Sequence, residues 1–150
     1  MATATELLVE VELAQLKENA QIMGWTVTEL SGLDFVLGVP ANDNSWLYVR
    51  CEPERHPTEP PAWRWCNAKG ENTDKPEMTG VGGQFFHTNG VICAPWNRLA
   101  YKSVDARGPH GDWSIGNWMA NDKTRQCRTL AAMASRIAIE ARLKYQKRKG

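Results

Sequence analysis

The sequence lacks both a long apolar run and a basic N-terminal stretch. No segment approaches the roughly eighteen consecutive apolar residues that a membrane-spanning helix requires. The opening MATATELLVEVELAQ carries acids where a signal peptide carries basic residues. We therefore expect a soluble, cytoplasmic protein without a membrane partner. Repeats and low-complexity segments are also lacking, and 150 residues with 42% hydrophobic content fit one compact domain over 1–150.

Cysteine is scarce, with four residues that stand far apart and form no Cys-x-x-Cys pair. A disulfide framework and a zinc ribbon are therefore not indicated, and free thiols are expected. A zinc site that combined cysteines with His56 or His87 would have no standard ligand spacing, so we expect no metal and no other cofactor. Three of the thiols, Cys51, Cys66 and Cys127, are predicted to pack as small apolar side chains.

Positive and negative charges nearly balance, at a net charge of +1, but they are unevenly distributed. Residues 122–150 contain nine Lys or Arg against two acids, whereas residues 1–121 contain nine against fifteen. Such asymmetry can indicate nucleic-acid binding. The basic residues also fit the solvated face of a C-terminal helix, where the cluster KYQKRKG would complement the helix dipole. We favour this second interpretation and expect no specific nucleic-acid partner.

An amphipathic helix is predicted near the N-terminus. Thr3-x-x-Glu6 has the capping-box spacing at its start, and Gly24 can adopt the left-handed conformation that ends a helix. Between them, apolar residues recur every three or four positions and share one helical face: Val9, Leu13, Leu16, Ala20 and Met23.

Strands are predicted in the middle of the chain. Segments 25–30, 34–39 and 46–51 are rich in aromatic and β-branched residues and are separated by turn formers, which is typical of an antiparallel meander. A fourth strand is predicted at 62–66, behind a proline-rich link. A surface loop without core residues is predicted after Asn67.

The last predicted element is an amphipathic helix from about 122 to 147. Its apolar face carries Leu130, Met133, Ile137 and Ala141. The order of elements predicts an α+β fold, in which an N-terminal helix, a four-stranded antiparallel meander, an irregular stretch that contains Cys93 and a C-terminal helix follow one another.

Cys93 lies in QFFHTNGVICAPW, the one segment where a thiol stands between two conformational constraints. Asn89-Gly90 predicts a turn just before it, while Pro95 removes a backbone donor and restricts Ala94 just after it. The alternative is a buried Cys93 that serves only as a small apolar residue. The two constraints favour a rigid backbone segment that exposes the Cys93 thiol.

These motifs resemble the ubiquitin-conjugating, or E2, superfamily in a bacterial form. ERHPTEPPAWRW is similar to the family's aromatic-Pro-x-x-Pro-Pro link, with His56 replacing the aromatic residue and Pro57, Pro60 and Pro61 in place. TNGVICAPW is similar to the family's Asn-Gly-x-Ile-Cys active-site segment. The order of elements also matches over nearly the whole chain, so the resemblance implies a UBC-like fold.

The resemblance also implies a function. Cys93 would receive the C-terminal carboxyl of a ubiquitin-like modifier protein as a thioester from an E1-like activating enzyme, and would pass it to an amine of a target protein. The setting would be a bacterial conjugation operon, many of which serve antiphage defence. In the family, the asparagine of a His-Pro-Asn motif stabilises the oxyanion. Here His87-Thr88-Asn89 lacks the proline, so Asn89 is the candidate donor and His87 a candidate base or orienter.

Simpler roles and other functions stay open. Asn89 is equally suited to the turn, and His87 to a partly buried packing position. A non-catalytic E2 variant would keep the fold as a binding module, although such variants usually lack the active cysteine. A thiol hydrolase would pair Cys93 with His87 or His110 and with an Asn or Asp such as Asn117. His110 lies in the Gly-rich RGPHGD, however, where a turn residue is expected.

Overall fold

The chain adopts an α+β fold with an N-terminal helix, a four-stranded antiparallel sheet and a C-terminal helix. The structure is a computed structural model that describes residues 2–71, 78–79, 85–87, 90–145 and 147–148. Among the helices of these residues, none combines the length and apolarity needed to span a membrane.

Helix α1 spans Ala4–Met23 and has the predicted caps. The Glu6 backbone N–H donates to Thr3 Oγ1 at 3.1 Å, and Gly24 adopts a left-handed φ of 79°. Four of the five predicted apolar positions are buried, namely Val9, Leu13, Leu16 and Ala20. Met23, the fifth residue of this face, is 61% exposed and lines an open apolar groove together with residues of α2.

The sheet is a meander of four strands in the order β1, β2, β3, β4. The strands span Thr26–Glu29, Phe35–Pro40, Trp46–Glu52 and Ala62–Cys66, each within one residue of its predicted bounds. The edge strand β1 is largely exposed, whereas β2 is buried over nearly its whole length. Inward-facing side chains of β2, β3 and β4 form the core with both helices.

Helix α2 spans Leu130–Lys144, so the predicted helix from 122 to 147 was wrong at both ends. At its start, a separate 3-10 turn at Asp122–Thr124 is capped by Asn121, and Thr129 Oγ1 then accepts from the Ala132 N–H at 3.2 Å. The caps Asn121 and Thr129 therefore divide the predicted helix into a short turn and α2. The predicted apolar face is confirmed, since Leu130, Met133, Ile137 and Ala141 are all buried.

Beyond α2 the chain forms a strand that was not predicted. Tyr145 leaves the helical conformation, and β6 (Lys147–Arg148) pairs antiparallel with β5 (Met78–Thr79). Most of the loop predicted after Asn67 lies outside the described residues. The C-terminal backbone is therefore paired with another strand where a helix end was expected.

A shared carboxylate joins α1, the proline-rich link and α2. Both Glu12 carboxylate oxygens lie 3.1 Å from His56 Nε2, and Glu12 Oε1 also accepts from the Leu130 N–H at 2.9 Å. His56 is fully buried, beside Trp118. Trp118 in turn donates from Nε1 to the Pro57 carbonyl at 2.9 Å. The link and both helices are thus fixed relative to one another.

Candidate active site

Cys93 follows a tight hairpin. Phe86 and Ile92 form an antiparallel bridge, and the His87 N–H donates to the Val91 carbonyl at 3.0 Å. Gly90 has a φ of 90°, which a residue with a side chain rarely adopts, and its N–H donates to His87 O at 2.9 Å. The hairpin ends at Cys93.

Three hydrogen bonds hold the backbone around the thiol. The Cys93 N–H donates to the Phe85 carbonyl at 2.7 Å. Asn97 Nδ2 donates to the Ile92 carbonyl at 2.8 Å, and Tyr101 Oη donates to the Pro95 carbonyl at 2.6 Å. Because Asn97 and Tyr101 are buried, the residues on both sides of Cys93 are anchored to the core.

The Cys93 thiol lines a surface groove of about 580 Å³, here called the thiol groove. Cys93 itself is half-buried. Burial raises the pKa of the Cys93 thiol, and the positive charge of Lys123 opposes this rise in pKa without cancelling it. The other residues that line the groove are Phe85, His87, Ala94, Pro95, Trp96, Pro109, His110, Lys123, Arg136, Glu140 and Lys144.

Helix α2 contributes a charged cluster to the thiol groove. The buried Glu140 accepts from Arg136 Nε at 3.0 Å, and its second oxygen lies 3.7 Å from Lys144 Nζ. The Arg136 guanidinium carbon lies 5.3 Å from the centre of the Phe85 ring. Phe85 also supplies the carbonyl that binds the Cys93 N–H, so α2 braces the hairpin that carries the thiol.

His110 is oriented by two neighbours. Its Nδ1 lies 3.1 Å from Asp112 Oδ1, and its ring stacks on Trp113 with 3.5 Å between ring centres. Hydrogen bonding to His110 lowers the pKa of Asp112. The expected turn residue therefore lies in the thiol groove, with one ring nitrogen bound to a carboxylate.

The structure brings some of the predicted site residues together. Cys93, His87 and His110 line one groove, whereas Asn89 lies outside the described residues. Asn117 is exposed on a 3-10 turn, where Nδ2 contacts Ser114 Oγ at 3.4 Å, and it does not line the groove.

Several residues of the site were not predicted from the sequence. Asn97 and Tyr101 follow Cys93 closely, but their burial depends on the packed fold. The four charged residues of the groove, Lys123, Arg136, Glu140 and Lys144, come from 30 or more positions later, and no spacing links them to the thiol.

Of the remaining thiols, two are buried and one is half-buried. Cys51 and Cys66 are buried in β3 and β4, as expected for packing residues. Burial raises the pKa of Cys51 well above its ordinary value. Cys127 is half-buried, and burial also raises its pKa.

Comparison with known proteins found no match for this chain among protein-family models, curated proteins or solved structures. The chemistry of the chain is therefore inferred from the thiol groove and from the motifs around Cys93. Cys127 also lines a depression with charged side chains. Cys93 is distinguished by its backbone, because the carbonyls of Ile92 and Pro95 on either side of it accept hydrogen bonds from the buried Asn97 and Tyr101.

Proposed function

We propose that the protein is an E2-like conjugating enzyme with a UBC-like fold. Cys93 would carry a ubiquitin-like modifier as a thioester and transfer it to an amine of a target protein, within a bacterial conjugation operon of the kind that serves antiphage defence. The observation that carries the proposal is the half-buried Cys93 thiol in an open groove, on backbone that is hydrogen-bonded on both sides. This position lies within the sequence segment that resembles the family's active site.

Loading is an exchange of thioesters. The Cys93 thiolate attacks the carbonyl carbon of the modifier's thioester on an E1-like activating enzyme and forms a new C–S bond. The bond to the activating enzyme then breaks, and its cysteine leaves as a thiolate. A thiol of raised pKa attacks as a minor thiolate fraction but is also a poor leaving group, so the loaded state would resist water.

Transfer forms an amide. The target's neutral amine attacks the thioester carbonyl carbon, the C–S bond breaks, and the amine proton passes to a base or to water while Cys93 is released. The tetrahedral intermediate carries an oxyanion. Lys123, which lines the same groove as Cys93, would stabilise that oxyanion together with the candidate donor Asn89. His87, on the same groove, is the candidate base or orienter.

A thiol hydrolase is the second candidate, because His110 is bound to Asp112 and lines the thiol groove. His110 Nε2 would take the Cys93 proton, and the thiolate would attack the substrate's carbonyl carbon. The bond to the leaving group would break, the leaving group would depart with that proton, and water would then hydrolyse the acyl-enzyme to the free acid and Cys93. A hydrolase needs no activating enzyme. A binding module, the third possibility, would form no thioester.

Reconstitution tests the proposal. The protein is co-expressed with the genes that neighbour its own and examined by non-reducing electrophoresis and intact-mass analysis. We expect an adduct that is lost on thiol treatment and in Cys93→Ala, and kept in the matched variant Cys127→Ala. Cleavage of a modifier fusion by the isolated protein, abolished by His110→Ala, would instead establish the hydrolase. Modifier binding without an adduct would establish the binding module.

A further inference from the structure

The charges of the thiol groove do not balance. Lys123, Arg136 and Lys144 face a single carboxylate, Glu140. Arg136 and Lys144 both pair with Glu140, at 2.9 and 3.7 Å, and half of each of their side chains stays exposed. Lys123 lies over the Trp113 ring and makes no ion pair with a carboxylate in the described ranges. Among the described residues that line the groove, three positive charges against one carboxylate leave an excess of two. Asp112, which binds His110 from outside this lining, has 78% of its side chain exposed to solvent.

The positive surface continues beside the thiol groove. A second depression shares Lys123 and Arg136 with it and adds Asp122 and Arg125. These two form an ion pair with each other at 3.2 Å, so they leave the excess unchanged. The positive charge of Lys123 also acts on the Cys93 thiol, since it opposes the rise in the pKa of Cys93.

An acyl donor that reacts with Cys93 must bind among these positive charges. In the proposed function, on which this inference rests, the carbonyl carbon bonds to the Cys93 sulfur. The residues just before that carbon must therefore occupy the groove into which the sulfur opens. Their side chains meet the exposed ammonium and guanidinium groups at its rim.

We propose that the thiol groove selects acyl donors whose C-terminal tail carries acidic side chains in the few residues before the terminal carboxyl. Acidic side chains gain the attraction of the two uncompensated cations, whereas basic side chains are repelled. The ion pairs would be partly exposed, so the preference is about five- to tenfold at low salt and falls as salt screens it.

Synthetic peptide thioesters test the preference without an activating enzyme. Two mercaptoethanesulfonate thioesters end in the same Gly-Gly, preceded by two Asp residues in one peptide and two Arg residues in the other. The initial rate of Cys93 acylation in the full chain is followed by intact mass. Each rate is divided by the rate of the same peptide with free glutathione. We expect the acidic peptide to react about five- to tenfold faster at low salt.

Paired variants locate the preference. In Lys123→Gln/Lys144→Gln, the ratio of acidic to basic peptide should fall toward one. Lys17→Gln/Lys69→Gln removes the same charge outside the groove and should keep the ratio. The ratio also cancels any change in Cys93 reactivity that both peptides share.

The possible results separate the two proposals. Equal rates for the two peptides, or a ratio that persists in Lys123→Gln/Lys144→Gln, would overturn the tail preference and leave the thioester function standing. No acylation by either peptide, with Cys93 still alkylated by iodoacetamide, would reject both. Complete inhibition by sub-micromolar 20-nucleotide single-stranded DNA at physiological salt would overturn the preference in favour of a nucleic-acid surface.

Discussion

Asn97 Nδ2 donates a hydrogen bond to the carbonyl oxygen of Ile92, the residue before Cys93, at 2.8 Å. The Oδ1 atom of the same buried amide accepts from the Trp63 N–H at 2.9 Å and the Leu99 N–H at 3.2 Å. One side chain therefore satisfies three backbone groups and joins β4 to the thiol segment.

Replacing Asn97 should destabilise the fold strongly. Asn97→Ala leaves the three backbone groups unpaired, and each buried group left unpaired costs about 1–3 kcal/mol, so we expect a loss of about 3 kcal/mol or more in urea unfolding. Asn117→Ala removes an exposed amide and should change the free energy of unfolding by less than about 0.5 kcal/mol. Equal effects of the two substitutions would contradict the role given to Asn97.

Glu12 and His56 should be energetically coupled. Glu12→Leu leaves His56 Nε2 without its carboxylate and removes the acceptor of the Leu130 N–H, so a loss of about 2 kcal/mol or more is expected. His56→Phe alone leaves the carboxylate poorly paired in a partly buried place. The double variant should be more stable than the sum of the two losses predicts, by about 1 kcal/mol in a double-mutant cycle. Additive losses would show that the contact contributes little.

The four thiols should react with iodoacetamide in an order set by exposure. At pH 8, Cys93 and Cys127 should be carbamidomethylated first, because both are half-buried. Cys51 and Cys66 should react only after urea unfolds the protein, since both are buried and burial raises the pKa of Cys51 well above its ordinary value. Peptide mass mapping gives the order, and early labelling of Cys51 would show that the core opens.

Acylation of Cys93 should accelerate with pH. The pKa of Cys93 lies above its ordinary 9.0, so the thiolate fraction, and with it the rate, rises about tenfold per unit from pH 7 toward 9. Lys123→Gln removes a charge that lowers this pKa and should slow the reaction at pH 7.5 by about twofold, because an exposed charge is well screened. Lys69→Gln is the matched control and should leave the rate unchanged. An acylation rate that does not depend on pH between 7 and 9 would contradict attack by a Cys93 thiolate.

The elements with strong local signals were predictable from the sequence. Thr3 and Gly24 are short-range capping signals, and the strands alternate with turn formers, so α1 and the sheet were placed within a residue or two. The start of α2 was misplaced because residues 122–129 are rich in basic residues, as α2 is, and contain no Gly or Pro to mark a helix start. Whether Thr129 serves as a cap or an interior helical residue depends on the tertiary position of the preceding turn.

The candidate site was predictable only where its residues are adjacent in sequence. The turn at Gly90 and the restriction by Pro95 pointed to Cys93. The buried anchor Asn97 and the charged residues of α2 reach the groove through folding over long sequence separations, which no local spacing encodes. His110 was underrated for the same reason, since its partner Trp113 is apparent only from the stacked rings.

The contact between Glu12 and His56 constrains how the two positions can change in evolution. A homologue with an aromatic residue at position 56 would have no imidazole to pair with an acid at position 12. The two positions should therefore covary among homologues, with acid and histidine gained or lost together. A substitution that is tolerated in a lineage without this pair would be harmful in this chain.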